Sequence, residues 1–140
     1  PVHWVSHLYG NLPKARLVAT HTHGETFDAD LKGVAHGTHF PLIDAIAVLS
    51  DDQEAVILLM INRHPVESRD VEIELVDFEP LEQGELQSIS GADYMVQNTL
   101  ANTKAVQIET ETVAIAGAQF TLSLLPHSVN ALTLKRVPKG

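Results

Sequence analysis

Two patterns of apolar and polar positions divide this chain, and they predict different elements. Over the first dozen residues Val2, Val5, Leu8, Tyr9 and Leu12 recur at spacings of three and four, the period of one helix face, and Gly10, Asn11 and Pro13 supply the stop. The spacing predicts a short amphipathic helix. Beyond it, apolar residues come in short runs between turn-rich pieces, and no segment holds a helical period over three turns. Strands are predicted at 14–20, 40–50, 54–62, 70–78, 105–115, 119–125 and 129–137, as a minimum set.

The connectors SDDQ (50–53), PVES (65–68) and IAGAQ (115–119) are short and rich in turn residues, which predicts three antiparallel pairs between sequential strands. Many short strands without long helices between them give an all-β expectation. The predicted fold is an antiparallel, jelly-roll-like β-sandwich with a short N-terminal helical segment. At 140 residues one domain is expected, and neither an internal repeat nor a low-complexity segment is visible.

The face pattern says more. Val71, Ile73 and Leu75 alternate with Glu72 and Glu74, and Phe120, Leu122 and Leu124 with Thr121 and Ser123, as in strands with one face in water. By contrast AVILLMI (55–61) is apolar on both faces, and LIDAIAVL (42–49) is interrupted only by Asp44. Something must cover their second face: a long loop of the same domain, or a docked neighbouring domain to which the N-terminal helix belongs. On the second alternative the isolated chain is expected to be sticky or marginal.

Composition narrows the partners. Eighteen acidic residues against nine basic ones give a net charge of −9, which repels nucleic-acid phosphates and anionic lipid surfaces. No apolar stretch approaches the roughly 20 residues that span a bilayer, so neither a nucleic-acid nor a membrane partner is expected. The absence of cysteine excludes disulfides and thiolate chemistry and leaves a cytoplasmic location compatible. The chain opens PVHWVSHLYG with neither an initiator Met nor a secretory pattern, so a fragment, a processed product or a trimmed chain is expected.

Four places hold candidate chemistry. His21, His23, His36 and His39, with Glu25, offer imidazole and carboxylate ligands to a zinc-like ion. The H-x-H spacing suits two ligands on one strand face, but Glu25 follows His23 after one residue where a cupin-like motif needs three or four. The opposing expectation is a solvated surface loop and no cofactor. Paired carboxylates at Glu72 and Glu74, and at Glu109 and Glu111, have the residue type for acid–base hydrolysis across a sugar; their alternation with apolar residues assigns them instead to a solvated face without a cleft. His127 and Ser128 could be drawn into a triad, yet neighbours in a strand point to opposite faces and no G-x-S-x-G turn is present. Finally, LLMINRHPVES (58–68) ends an apolar run at Asn62, Arg63 and His64, where Pro65 removes the next ladder donor and forces a turn. These three are read as a structural corner or as contacts to another domain.

AVILLMINRHPVESRDVEIELVDF resembles the hairpin of the C-terminal domain of glycoside hydrolase family 51, the α-L-arabinofuranosidases: a strand ending in Asn-Arg-His, a short turn, then an alternating strand closing on an aromatic residue. LSLLPHSVNALTLKR is similar to the family's closing segment, QNTLANTKAVQIET to its Asn-Thr loop, and PVHWVSHLYGNL to the last helix of its catalytic barrel. The matches run in the family's order over most of the chain; the His-rich stretch 21–39 is unmatched. The resemblance implies that residues 1–12 are the tail of the last helix of a preceding (β/α)8 barrel and residues 13–140 a C-terminal β-sandwich. It further implies a retaining glycoside hydrolase that releases terminal α-L-arabinofuranosyl residues, acting on an arabinose-containing glycan through that barrel and assembled as a homo-oligomer. No catalytic or substrate-binding residue is implied within these residues, because the family's catalytic glutamates lie on barrel strands. The alternatives are an endoglucanase member of the same family and a freestanding carbohydrate- or metal-binding module.

Overall fold

The computed structural model describes residues 2–31 and 35–138. Helix α1 (Val2–Gly10) is followed by β1 (Ala15–Val18), β2 (Thr26–Leu31), β3 (Ala35–Pro41), β4 (Ile43–Ser50), β5 (Ala55–Asn62), β6 (Arg69–Glu74), β7 (Pro80–Ser90), β8 (Gln107–Ala114), β9 (Gln119–Leu124) and β10 (Ser128–Arg136). Six strands form one antiparallel sheet in the order β1-β4-β5-β10-β7-β8, and β6 pairs with β9 in a second. The two layers make the expected all-β sandwich.

Alternation along β5 builds both cores. Val56, Leu58 and Met60 point inward, where they meet Ile73 of β6, Phe120, Leu122 and Leu124 of β9, and Leu132 and Leu134 of β10. Ile57 and Leu59 point to the other side, into a cluster with Val48, Ile89, Val106 and Ala131. The cover that the doubly apolar β5 demands lies within the chain. Leu8 of α1 is 4% exposed in this outer cluster, with Trp4, Val5, Tyr9 and Leu12 packed around it, and Val96 and Val106 close it from the segment between β7 and β8. This corrects the expectation that the outer face of 55–61 lies bare in the isolated chain. Leu17 (72% exposed) and Ile46 (43%) remain uncovered on the same sheet.

The helix ends as its sequence dictates. Asn11 donates from its backbone N–H (3.1 Å) and from Nδ2 (2.8 Å) to the His7 carbonyl, satisfying one of the carbonyls left open in the last turn.

Two of the three predicted sequential pairs are absent. β4 and β5 do form a hairpin, but β5 and β6 lie in different sheets, as do β8 and β9. The polar connectors reverse the chain between layers instead of within one, so that a half-buried strand such as β6 reaches β9, whose alternation matches its own. The predicted strand 40–50 is broken at Leu42 into β3 and β4. Strand β7 was not expected, and β2 and β3 occupy the His-rich stretch anticipated as loop.

Candidate functional site

The corner at 62–67 lies at one end of the sandwich, and its side chains are bound into the fold. Asn62 is 1% exposed; its Nδ2 donates to the carbonyls of Glu67 (3.0 Å), Leu124 (3.2 Å) and Leu125 (2.9 Å), and its Oδ1 accepts from the His64 N–H (3.0 Å). Arg63 donates to the Pro41 carbonyl and to the Asp44 carboxylate, both at 2.8 Å. His64 Nδ1 accepts from the Glu67 N–H at 2.8 Å, which leaves its proton on Nε2, 3.4 Å from the Glu67 carboxylate. Glu67 also meets Arg69 (3.0 Å), which reaches Glu25 at 3.3 Å.

A buried polar ladder continues from this corner, and sequence reasoning missed it. Ser128, opposite Asn62 in the β5–β10 register, donates to the Leu125 carbonyl at 2.6 Å. Asn130 donates to Ser128 Oγ (2.9 Å) and the Met60 carbonyl (3.3 Å), while its Oδ1 accepts from Ser88 Oγ (2.9 Å). The available signal was Asn130 itself, a polar residue at an inward position of an apolar strand, which has to be paired when buried.

The four histidines do not converge. His21 and His23 lie in exposed coil before β2. On β3, His36 contacts Asp30 across the hairpin at 3.0 Å, and the His39 N–H donates to Asp28 Oδ1 at 2.9 Å. Among the described residues no group of three or more His, Cys, Asp or Glu side chains is arranged to hold a metal ion.

The carboxylate pairs are equally dispersed. Glu72, Glu74, Glu109 and Glu111 are all exposed, the first two on β6 and the others on the edge strand β8. A groove of about 2060 Å³ at the other end of the sandwich is lined by Asp77, Phe78, Ile115 and Arg136 among others, and by none of these glutamates or histidines. Ser128 and His127 make no pair: the serine bonds Leu125, and the His127 ring nitrogens lie 2.7 Å from the Pro65 carbonyl and 3.0 Å from that of Gly91. On α1, burial and the Asp44 charge push the Tyr9 phenol above its ordinary pKa. Among the described residues these candidates form no arrangement that joins a nucleophile, a base and a place for substrate.

The sequence profile of the alpha-L-arabinofuranosidase C-terminal domain matches residues 1–128. The chain belongs to the α-L-arabinofuranosidase C-terminal domain family. The fold of this family member is shared with the α-L-arabinofuranosidase of Thermotoga maritima, solved with arabinose, and with the GH51 α-L-arabinofuranosidase of Thermotoga petrophila RKU-1. Each is 22% identical with a TM-score of 0.87, over 96% of this chain and 29% of theirs. The GH51 arabinofuranosidase of Xanthomonas axonopodis pv. citri is 26% identical with a TM-score of 0.61, over 72% of this chain and 20% of its own. The C-terminal domain thus spans less than a third of these enzymes. No curated protein sequence matches it. Within the described residues no helix is long and apolar enough to cross a membrane.

Proposed function

We propose that this chain is the accessory domain of a retaining glycoside hydrolase that releases terminal α-L-arabinofuranosyl residues, and that catalysis belongs to a (β/α)8 barrel preceding Pro1. The family match over residues 1–128 carries the reading, and the dispersal of every candidate catalytic side chain agrees with it. In this reading α1 is the tail of the barrel's last helix. It seals the outer apolar cluster with Leu8 and brings the preceding domain beside Val2, Leu17 and Ile46, which are 79%, 72% and 43% exposed. A patch of this kind is what a missing neighbour leaves behind. At the corner, Arg63 and His64 keep partial exposure toward such a neighbour, while Asn62 spends its amide internally.

The substrate is an arabinose-containing oligosaccharide or polysaccharide, reached through the barrel, and the full enzyme assembles as a homo-oligomer. A cytoplasmic location belongs to the same reading, since a fold without cysteine needs no oxidising compartment. The test is to follow the full-length gene product on an aryl α-L-arabinofuranoside by proton NMR. Release of arabinose as the α-anomer first is expected; an inverted first product, or none, would overturn the proposal.

A further inference from the structure

Among the described residues strands β2 and β3 pair with each other and with no further strand, and no extensive packing joins them to another element. They form a two-stranded arm that stands off the sandwich. Thr26, Phe27, Asp28, His36, Thr38 and Phe40 are all exposed along it. A two-stranded ribbon with both faces in water is marginal at best.

The arm is nevertheless built with care on one face. Phe27 and Phe40 stand opposite each other in the register, with ring centroids 5.7 Å apart and planes tilted by 39°, and they are 36% and 39% exposed. The Phe40 ring lies against Gly37, where a Cβ would run into it. Between these residues the register slips by a bulge, with His39 at φ 58 and its N–H on Asp28 Oδ1. At the root, the Leu42 N–H donates to the Glu25 carbonyl at 2.9 Å and Arg69 holds the Glu25 carboxylate. Direction and ring placement are therefore specified by side chains, although nothing in the sandwich needs the rings.

We propose that this arm is a docking element whose Phe27–Phe40 face is covered by an apolar surface of the polypeptide that precedes this domain. The inference rests on the reading given under Proposed function. The occupant follows from connectivity: the family is a C-terminal domain, and the chain spans 29% of the Thermotoga maritima enzyme. A covalently joined neighbour meets the arm at high effective concentration and loses little translational freedom, whereas a second copy or a glycan must be captured from solution. A glycan is further disfavoured by the tilt, since the two rings offer no single flat platform, and Asp28 and Asp30 are already engaged by the His39 N–H and His36.

Amide hydrogen exchange tests this in the full-length product beside the chain Pro1–Gly140, whose cores are filled from its own residues. Protection of the β2 and β3 amides is expected to be at least about tenfold greater in the full-length protein. The double variant Phe27→Ser, Phe40→Ser should abolish that gain while amides of β5 and β10 keep theirs. Equal protection in both proteins overturns the proposal. So does protection of the isolated chain that rises with its concentration, the mark of a second copy, or that needs added arabino-oligosaccharide. Turnover of an aryl arabinofuranoside by the same preparation separates the two readings: an inactive product with a protected arm defeats the enzymatic one, and an active product with an unprotected arm defeats this one.

Discussion

Asn62 and Leu124 join the two sheets of the sandwich. The Asn62 amide, at the last residue of β5, donates to the Leu124 carbonyl at the end of β9, 3.2 Å away and 62 residues on, and both residues are 1% exposed. The corner that looked like candidate chemistry is a cross-layer tie. Replacing Asn62 by Ala removes the donors from the three carbonyls it serves and the acceptor from the His64 N–H. A loss of about 3 kcal/mol is expected, because buried polar groups left unpaired cost roughly 1–3 kcal/mol each and some are re-satisfied by relaxation or water. Urea unfolding of the isolated chain measures it; a change below about 0.5 kcal/mol would show that the tie is not structural.

Leu8 anchors α1 over Ile57 and Leu59. Leu8→Ala should cost about 2–4 kcal/mol, the range for truncating a buried leucine. Deleting residues 1–12 goes further, uncovering the outer cluster and producing a protein that binds a hydrophobic dye and aggregates. A truncated chain that stays monomeric and unfolds at the same temperature would show that the helix is dispensable.

Arg63 and Asp44 meet at 2.8 Å, with 31% and 46% of their side chains exposed. Solvent screening limits such a pair to about 1 kcal/mol or less. Asp44→Asn should accordingly lower stability only slightly. Arg63→Ala, which also orphans the Pro41 carbonyl, should cost somewhat more and, in the full-length enzyme proposed above, leave kcat within about twofold, a barrier change of under 0.5 kcal/mol. Loss of turnover with unchanged folding would instead assign Arg63 to the reaction.

Asp52 organises the β4–β5 turn. Its carboxylate accepts from Ser50 Oγ at 2.5 Å and from the Glu54 N–H at 3.0 Å, and these bonds, the serine's first, hold its pKa below the ordinary carboxylate value. A folded pKa below the unfolded one means that the stabilisation is present above the unfolded value and is lost as pH falls through the folded one. Acidification should therefore loosen this turn, and Ser50→Ala should move the Asp52 midpoint upward in an NMR titration. A midpoint that ignores the serine would contradict the assignment.

Much of the fold was legible because burial left a periodic trace. The 3.6-residue period of α1, the alternation of β6 and β9 and the two-sided apolarity of β5 each state which faces leave water. Strand β7 left no such trace, because its inward positions include Gly84 and Ser88 in place of large apolar residues. A Cβ at Gly84 would fall 2.8 Å from Leu134 Cδ2, and Ser88 hides its hydroxyl on Asn130. The arm was illegible for the opposite reason, since exposed strands need no apolar period. Turn signals located the reversals after β5 and β8 but could not say which sheet the chain enters next. At the corner, the residue types were visible and their spatial partners were not, since Leu124 and Leu125 lie about 60 residues from Asn62 in the chain.

The most direct test of the central claim assays the full-length product and the chain Pro1–Gly140 side by side on an aryl α-L-arabinofuranoside. Turnover by the full-length product is expected, with none above background by the chain alone at equal molarity. Turnover by the isolated chain, or an inert full-length protein, would contradict it.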